Sequence, residues 1–321
     1  GSWSVAAAVD RRVRVERFKS AGEYRVRGAD FDGSQLVECV LEEAGRVVDH
    51  DWRPGHFAAD VTELYEHGVK LGLGSSAASA VALASAALAD GEGAEVDSPE
   101  FRGRVLEVAE AAHAAFQGGR GSGGGVAAAS FGGVLAFRRG SPTRGFSQLQ
   151  DLAEFESARS VADYDIETLG LPDGVRIEAI WLGEPASTTS FVDGVVRQMR
   201  TAPAPVYRVL RRIGALAEEA MGALREGSSS RLIEAAEEGD RAMEELGELC
   251  GLPIIVDRHR KLREAAVRAS AVAKPSGAGG GDFSLVFGNE STDWERLLGG
   301  LPSGAEHVGL GFGAPGVRRE S

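Results

Sequence analysis

The chain has 321 residues, enough for two domains, and its 43% hydrophobic and 26% charged content is that of a folded protein rather than a disordered one. A formal net charge of -13 excludes a general nucleic-acid binder, whose phosphate backbone most of this surface would repel. An anionic small molecule is still admissible, provided its site is built locally from amides and a few cations.

No apolar run reaches the length of a membrane span, and the first residues lack a basic-then-apolar leader, so a cytoplasmic protein is expected. Cys39 and Cys250 offer neither metal-ligand spacing nor a disulfide framework, and both fall in apolar helical patterns. They are expected to be buried free thiols in a reducing compartment.

In chain order, Ser4 to Val9 and the alternating Val13, Val15 and Phe18 predict strands around the polar Asp10-Arg11-Arg12. Residues 34–49 carry apolar side chains at helical spacing. From Gly72 the chain passes through GLGSS into an alanine-rich helix ending near Ala89. Ser98-Pro99-Glu100 is an N-cap followed by proline in the first helical position. Phe101, Val105, Val108, Ala112 and Phe116 then share one helical face, and the helix stops at Gly118-Gly119.

A glycine-rich loop runs on to Gly125, and Val134 to Phe137 predicts a strand. Residues 141–165 read as an irregular crossing. Ile177 to Leu182 is the next strand, followed by helices at 188–200, 204–226, 229–250 and 257–271. A glycine run, Lys274 to Asp282, precedes a strand at Phe283 to Phe287, and the tail after Pro302 offers a last strand around Val308, Leu310 and Phe312. The alternation predicts an α+β protein of two lobes meeting at a cleft, with the division near 165/166.

Three glycine-rich segments carry the chemistry. Gly72-Leu73-Gly74-Ser75-Ser76-Ala77-Ala78 opens a helix, so free amides and the helix dipole favour an anion such as a triphosphate. Its two hydroxyls suit a phosphate oxygen or Mg²⁺. Read alone, it is first the start of a capped, alanine-rich core helix, since such turns are common, and it matches neither GxxxxGKS/T nor GxGxxG. Gly121 to Gly133 reads by itself as a flexible loop. Lys274-Pro275-Ser276-Gly277-Ala278-Gly279-Gly280-Gly281-Asp282 places a cation and a hydroxyl beside glycine amides, which makes either an anion cradle or a tight structural turn.

In this order and spacing the segments resemble the motifs of the GHMP kinases (galactokinase, homoserine kinase, mevalonate kinase, phosphomevalonate kinase). GLGSSAA is similar to their phosphate loop and KPSGAGGGD to their third motif. The GGGD ending, AAHAAFQGGRGSGGGVAAASFGG and WLGEPASTTSFV resemble the phosphomevalonate kinase branch in particular.

The resemblance implies an N-terminal α+β lobe over residues 1–165 and a ferredoxin-like lobe over 166–321, with ATP and Mg²⁺ as cofactors. It implies that Lys70, Gly72, Leu73, Gly74, Ser75, Ser76 and Ala77 bind ATP, with Ser76 the Mg²⁺ contact. It further implies that Ser122, Gly123, Ser187, Thr188, Ser276, Gly277, Ala278 and Gly279 lie about a phosphorylated small-molecule acceptor. No nucleic-acid or membrane partner is implied.

Two departures follow from the same resemblance. Gly125 stands where the family pattern G-S-G-x-D-V has aspartate, and glycine can neither accept a proton nor orient a hydroxyl. Gly1-Ser2-Trp3 resembles the point just after the family's first motif, so the first strand and its lysine are expected to be missing. No catalytic residue is therefore assigned. The expected activity is conversion of 5-phosphomevalonate to 5-diphosphomevalonate. Another small-molecule GHMP kinase and a non-catalytic nucleotide-binding relative are the alternatives. His113, on the helix before the second glycine segment, reads either as a structural histidine or as one that faces the acceptor.

Overall fold

The computed structural model describes residues 2–18, 25–27, 34–48, 56–66, 69–89, 95–118, 122–140, 164–183 and 188–320. Two units emerge, one made of Ala6–Thr168 with Gly313–Ser321, the other of Ser2–Val5 with Leu169–Phe312. The tail from Gly313 thus belongs with the first unit. A bridge between Gly132 and Pro315 and the bond from the Gly133 amide to the Ala314 carbonyl (2.8 Å) hold it there.

In the first unit β2 (Arg14–Phe18) pairs antiparallel with β4 (His56–Asp60), which pairs parallel with β3 (Arg25–Arg27). Strands β5 (Tyr65–Glu66) and β6 (Val69–Lys70) form a short ribbon. Strands β1 (Ser4–Ala7, whose last two residues belong to this unit), β7 (Val134–Arg139) and β8 (Tyr164–Leu169) form a sheet in the order β1-β7-β8. Strand β8 begins inside the stretch expected to be irregular, and the rest of that stretch after Gly140 lies outside the described residues.

The helices α1 (Ser34–Val47), α2 (Ser75–Leu88), α3 (Pro99–Phe116) and α4 (Gly124–Phe131) enclose the core of this unit. Helix α2 is covered on most sides. Its Ala77, Ala80, Ala84 and Ala87 are small enough for α1, α3 and α4 all to pack against it. Helix α3 begins as its sequence dictates, with Ser98 Oγ accepting the Phe101 amide (3.1 Å) and Pro99 in the first turn. Phe101, Val105, Val108 and Ala112 are buried and Phe116 packs at their edge.

Helix α4 corrects the sequence reading, which left this segment as loop. Burial of Val126, Ala127 and Ala128 offsets the backbone entropy of Gly124 and Gly125, roughly 1 kcal/mol each relative to alanine.

The second unit is a β-α-β-β-α-β arrangement. Its strands are β9 (Arg176–Trp181), β10 (Val272–Pro275), β11 (Phe283–Gly288) and β12 (Glu306–Val308), all antiparallel in the order β10-β11-β9-β12. That is the ferredoxin-like topology. Among the described residues four helices fill the first connection: α5 (Thr188–Thr201), α6 (Pro203–Glu226), α7 (Ser229–Cys250) and α8 (Asp257–Arg268). The short α9 (Trp294–Gly299) lies in the second.

Helix α8 stops three residues earlier than its apolar pattern suggests, because Ser270 turns to φ 57° ahead of β10. Leu310 and Phe312 fall beyond β12 rather than in it. The sheet packs Ile180, Ala273 and Val286 against Leu262, Ala266 and Leu297, while α6 and α7 close a second core through Val206, Val209, Met243 and Leu246. Cys39 and Cys250 are free but only half-buried, since each sits at the margin of its helix's apolar stripe.

Candidate functional site

Strand β6 leads directly into the first glycine segment. Leu71 anchors it, buried and donating its amide to the Leu64 carbonyl (3.0 Å). Gly72 and Gly74 then take left-handed backbone angles, φ 76° and 78°, and both are exposed. Gly74 is the N-cap of α2. Among the described residues no side chain caps this helix, and its first turn contains no acid. The start of a 14-residue helix is therefore presented with its dipole uncompensated, an arrangement that attracts anions.

A second uncapped start lies beside it. Gly123 (φ 76°) precedes α4, again without a side-chain cap and without an acid in the first turn. The first turns of α2 and α4 adjoin, since a Cβ on Gly125 would stand 3.3 Å from the Ala77 Cβ. Gly125 itself is helical, so it is the missing side chain, not an unusual backbone, that distinguishes this position. Ser122 is exposed just ahead of the helix.

Helix α3 directs two ionisable side chains to these turns. His113, buried, places Nε2 3.0 Å from Ser76 Oγ. Burial, and to a lesser extent the charge of Lys70, push the imidazole below its ordinary pKa, so it is neutral at neutral pH. Glu110, one turn earlier, lies under Gly123, whose Cβ would stand 3.1 Å from its Oε1. Burial raises the Glu110 pKa, opposed by Arg139 at 3.4 Å and by a hydrogen bond from Tyr164. Tyr164 is itself pushed up by burial and stacks on Phe137.

Lys70, Gly72, Leu73, Gly74, Ser75, Ser76 and Ala77 thus form one continuous feature, with Ser122 and Gly123 at the neighbouring helix start. Ser75 and Ser76 differ. The Ser75 hydroxyl is buried without a hydrogen-bond partner among the described residues, whereas Ser76 is half-buried and held by His113. Sequence reading missed Glu110. Its signal was a carboxylate three residues before His113 inside an otherwise alanine- and valine-rich stripe.

The third glycine segment belongs to the second unit, between β10 and β11. Ser276 and Gly277 are exposed. The Gly280 amide donates to the Ile254 carbonyl (2.9 Å), and a Cβ on Gly279 would stand 2.4 Å from that oxygen. Lys274, expected beside the loop amides, lies instead on β10 with its chain against Gly239 of α7 and Nζ donating to the Pro275 carbonyl (2.9 Å). Burial lowers its pKa, partly offset by Asp240. Ser187 lies outside the described residues, and Thr188 is the first residue of α5.

Among the described residues no three His, Cys, Asp or Glu side chains gather as a metal site. The half-buried Ser76 hydroxyl beside uncapped amides fits an ion such as Mg²⁺, which keeps its waters and arrives on phosphates with only one or two protein oxygens. No helix of the described residues is long and apolar enough to cross a membrane.

The fold is shared with a Lin0012 protein from Listeria innocua (22% identity, TM-score 0.79, covering 97% of this chain and 92% of that one). It is shared also with Streptococcus pneumoniae phosphomevalonate kinase in complex with phosphomevalonate and AMPPNP (20% identity, TM-score 0.67, covering 94% and 89%). Together with the uncapped loops, this fold is that of the two-lobed GHMP kinases. No family model matches the chain. The phosphomevalonate kinase of Streptomyces sp. (strain CL190) is 32% identical over 280 residues, covering 83% of this chain and 72% of that protein. The chain belongs to the phosphomevalonate kinase family.

Proposed function

We propose that this protein transfers the γ-phosphoryl group of ATP to 5-phosphomevalonate, giving 5-diphosphomevalonate and ADP in the cytoplasmic mevalonate route to isoprenoids. The observation that carries the reading is the pair of adjoining, uncapped helix starts, α2 and α4, with no carboxylate in either first turn. Such a place accepts dense negative charge.

Gly72 to Ala77 hold the ATP phosphates through backbone amides, with Lys70 adding charge and the Ser76 hydroxyl meeting Mg²⁺. Bound Mg²⁺ neutralises phosphate charge and leaves γ-phosphorus open to attack. Ser122, Gly123, Ser187, Thr188 and the loop Ser276-Gly277-Ala278-Gly279 serve the acceptor.

An oxygen of the acceptor phosphate forms the new bond to γ-phosphorus as the bond to the β–γ bridging oxygen breaks, and ADP leaves with that electron pair. A phosphomonoester has a second pKa near 6, so its oxygen is already ionised at neutral pH and needs no base. Gly125 is therefore compatible with this acceptor, whereas an alcohol would forgo the roughly 10²–10⁴-fold that a general base contributes.

Gly125 also supports a second reading, nucleotide binding without transfer. ADP release measured with Mg·ATP and phosphomevalonate, alongside mevalonate, separates the two. Release with phosphomevalonate alone supports the transferase. AMPPNP binding, with no ADP formed from Mg·ATP in the presence of either acceptor, would leave the second reading standing.

A further inference from the structure

Helix α3 carries an imidazole where its packing calls for an aliphatic side chain. His113 is 8% exposed and its stripe also holds Val105, Leu106, Ala109 and Ala112, all buried. A polar ring in that position is costly unless its nitrogens are bonded. Its side-chain partner among the described residues is Ser76 Oγ, 37 residues away and in the first turn of another helix.

A serine hydroxyl in a helix's first turn ordinarily rotates freely or bonds to nearby backbone. Here one such hydroxyl is tied to a distant side chain, while its neighbour Ser75 has no partner among the described residues. The tie is selective, and it falls on the more accessible of the two.

We propose that His113 is a positioning residue for phosphoryl transfer, accepting the Ser76 hydroxyl hydrogen at Nε2 so that the free lone pairs of Ser76 Oγ face the nucleotide's metal and phosphates. The inference rests on the phosphoryl-transfer reading above. Neutral imidazole with its proton on Nδ1 presents such an acceptor at Nε2. The bond removes the rotational freedom of the hydroxyl before the nucleotide arrives, so the contact forms without a further ordering cost. Burial of the ring in the α3 stripe makes the acceptor rigid, since His113 cannot swing away without exposing apolar neighbours.

The test is a double-mutant cycle of Ser76→Ala and His113→Leu, read in affinity for AMPPNP with Mg²⁺ and, separately, in kcat/KM for ATP. Leucine suits the buried stripe, and His113→Gln supplies a variant that retains an acceptor. His113→Leu is expected to weaken both readouts about 10-fold in the wild-type background, the scale of one well-placed hydrogen bond. In the Ser76→Ala background the same change is expected to matter by less than about 2-fold, and His113→Gln is expected to recover most of the loss.

Equal losses in both backgrounds would overturn the proposal, because they would mean that His113 acts through folding alone. No loss in the wild-type background would overturn it as well. A protein that binds Mg·AMPPNP with a non-additive cycle but turns over no acceptor would refute the kinase reading, and with it any role in transfer, while leaving His113 as the residue that orients Ser76 toward the bound nucleotide.

Discussion

Gly277 and Gly279 share one loop and one backbone conformation, φ 84° and 80°, yet differ in the space beside them. A Cβ on Gly277 meets nothing within 4 Å, whereas on Gly279 it would stand 2.4 Å from the Ile254 carbonyl oxygen and 2.9 Å from Ile254 Cγ2. Gly277→Ala therefore carries only the left-handed penalty, about 1 kcal/mol. Gly279→Ala adds a collision with a carbonyl that already accepts the Gly280 amide at 2.9 Å. Moving that oxygen sacrifices the hydrogen bond, about 1 kcal/mol, and strains the loop further, for a total of about 3–4 kcal/mol.

At roughly 2–4 °C per kcal/mol for a unit of this size, Gly277→Ala lowers the thermal midpoint by about 3 °C and Gly279→Ala by about 10 °C. Thermal unfolding followed by circular dichroism reads both. Midpoints within 2 °C or so of each other would refute the argument that close backbone approach, rather than turn geometry, dictates glycine at 279.

Two further outcomes follow from buried charges. Glu110 has a folded pKa raised above its unfolded value, so the native state holds its proton to higher pH than the unfolded chain does. Its contribution to stability falls as pH rises from the ordinary carboxyl range through the raised value. Urea midpoints of wild type and Glu110→Gln, compared at pH 4.5 and 7.5, should shift in favour of the glutamine variant at the higher pH; an unchanged difference would contradict the assignment.

In the second unit, Asp240 meets His259 Nε2 at 2.7 Å and Arg263 Nε at 2.6 Å, and His259 reaches Ser284 Oγ at 2.5 Å, with Asp240, His259 and Ser284 all buried. Asp240→Asn leaves the Arg263 charge without its buried partner and should cost about 3 kcal/mol in urea unfolding. A loss below about 1 kcal/mol would show that Glu244, which also pairs with Arg263 at 2.7 Å, suffices.

Much of this was legible in the residues. Ser98-Pro99 announced α3, GLGSS announced the uncapped start of α2, and Ile177 to Leu182 with Phe283 to Phe287 announced the paired strands β9 and β11. What escaped was set by packing. Helix α4 hides behind three glycines whose propensity argues for loop, and only the core behind Val126 to Ala128 reverses that. Lys274 shares a segment with the glycine loop in sequence, but its place on β10 turns it toward α7. Strands β5 and β6 have two residues each, too short to show a period, and β4 runs Phe57-Ala58-Ala59 together without a polar residue between them. Glu110 and His113 were the polar members of an apolar stripe, which marks a pair of helix faces converging on something polar but does not say what.

The central claim, transfer to an acceptor that is already ionised, is tested most directly by phosphorus NMR of the product formed from Mg·ATP and 5-phosphomevalonate. The account predicts that the phosphomonoester resonance is replaced by the two coupled resonances of a diphosphate as ADP appears, with no new phosphoester when mevalonate is the acceptor. Phosphorylation of mevalonate with phosphomevalonate untouched would contradict it, since the site would then be activating a hydroxyl with no carboxylate in either helix turn.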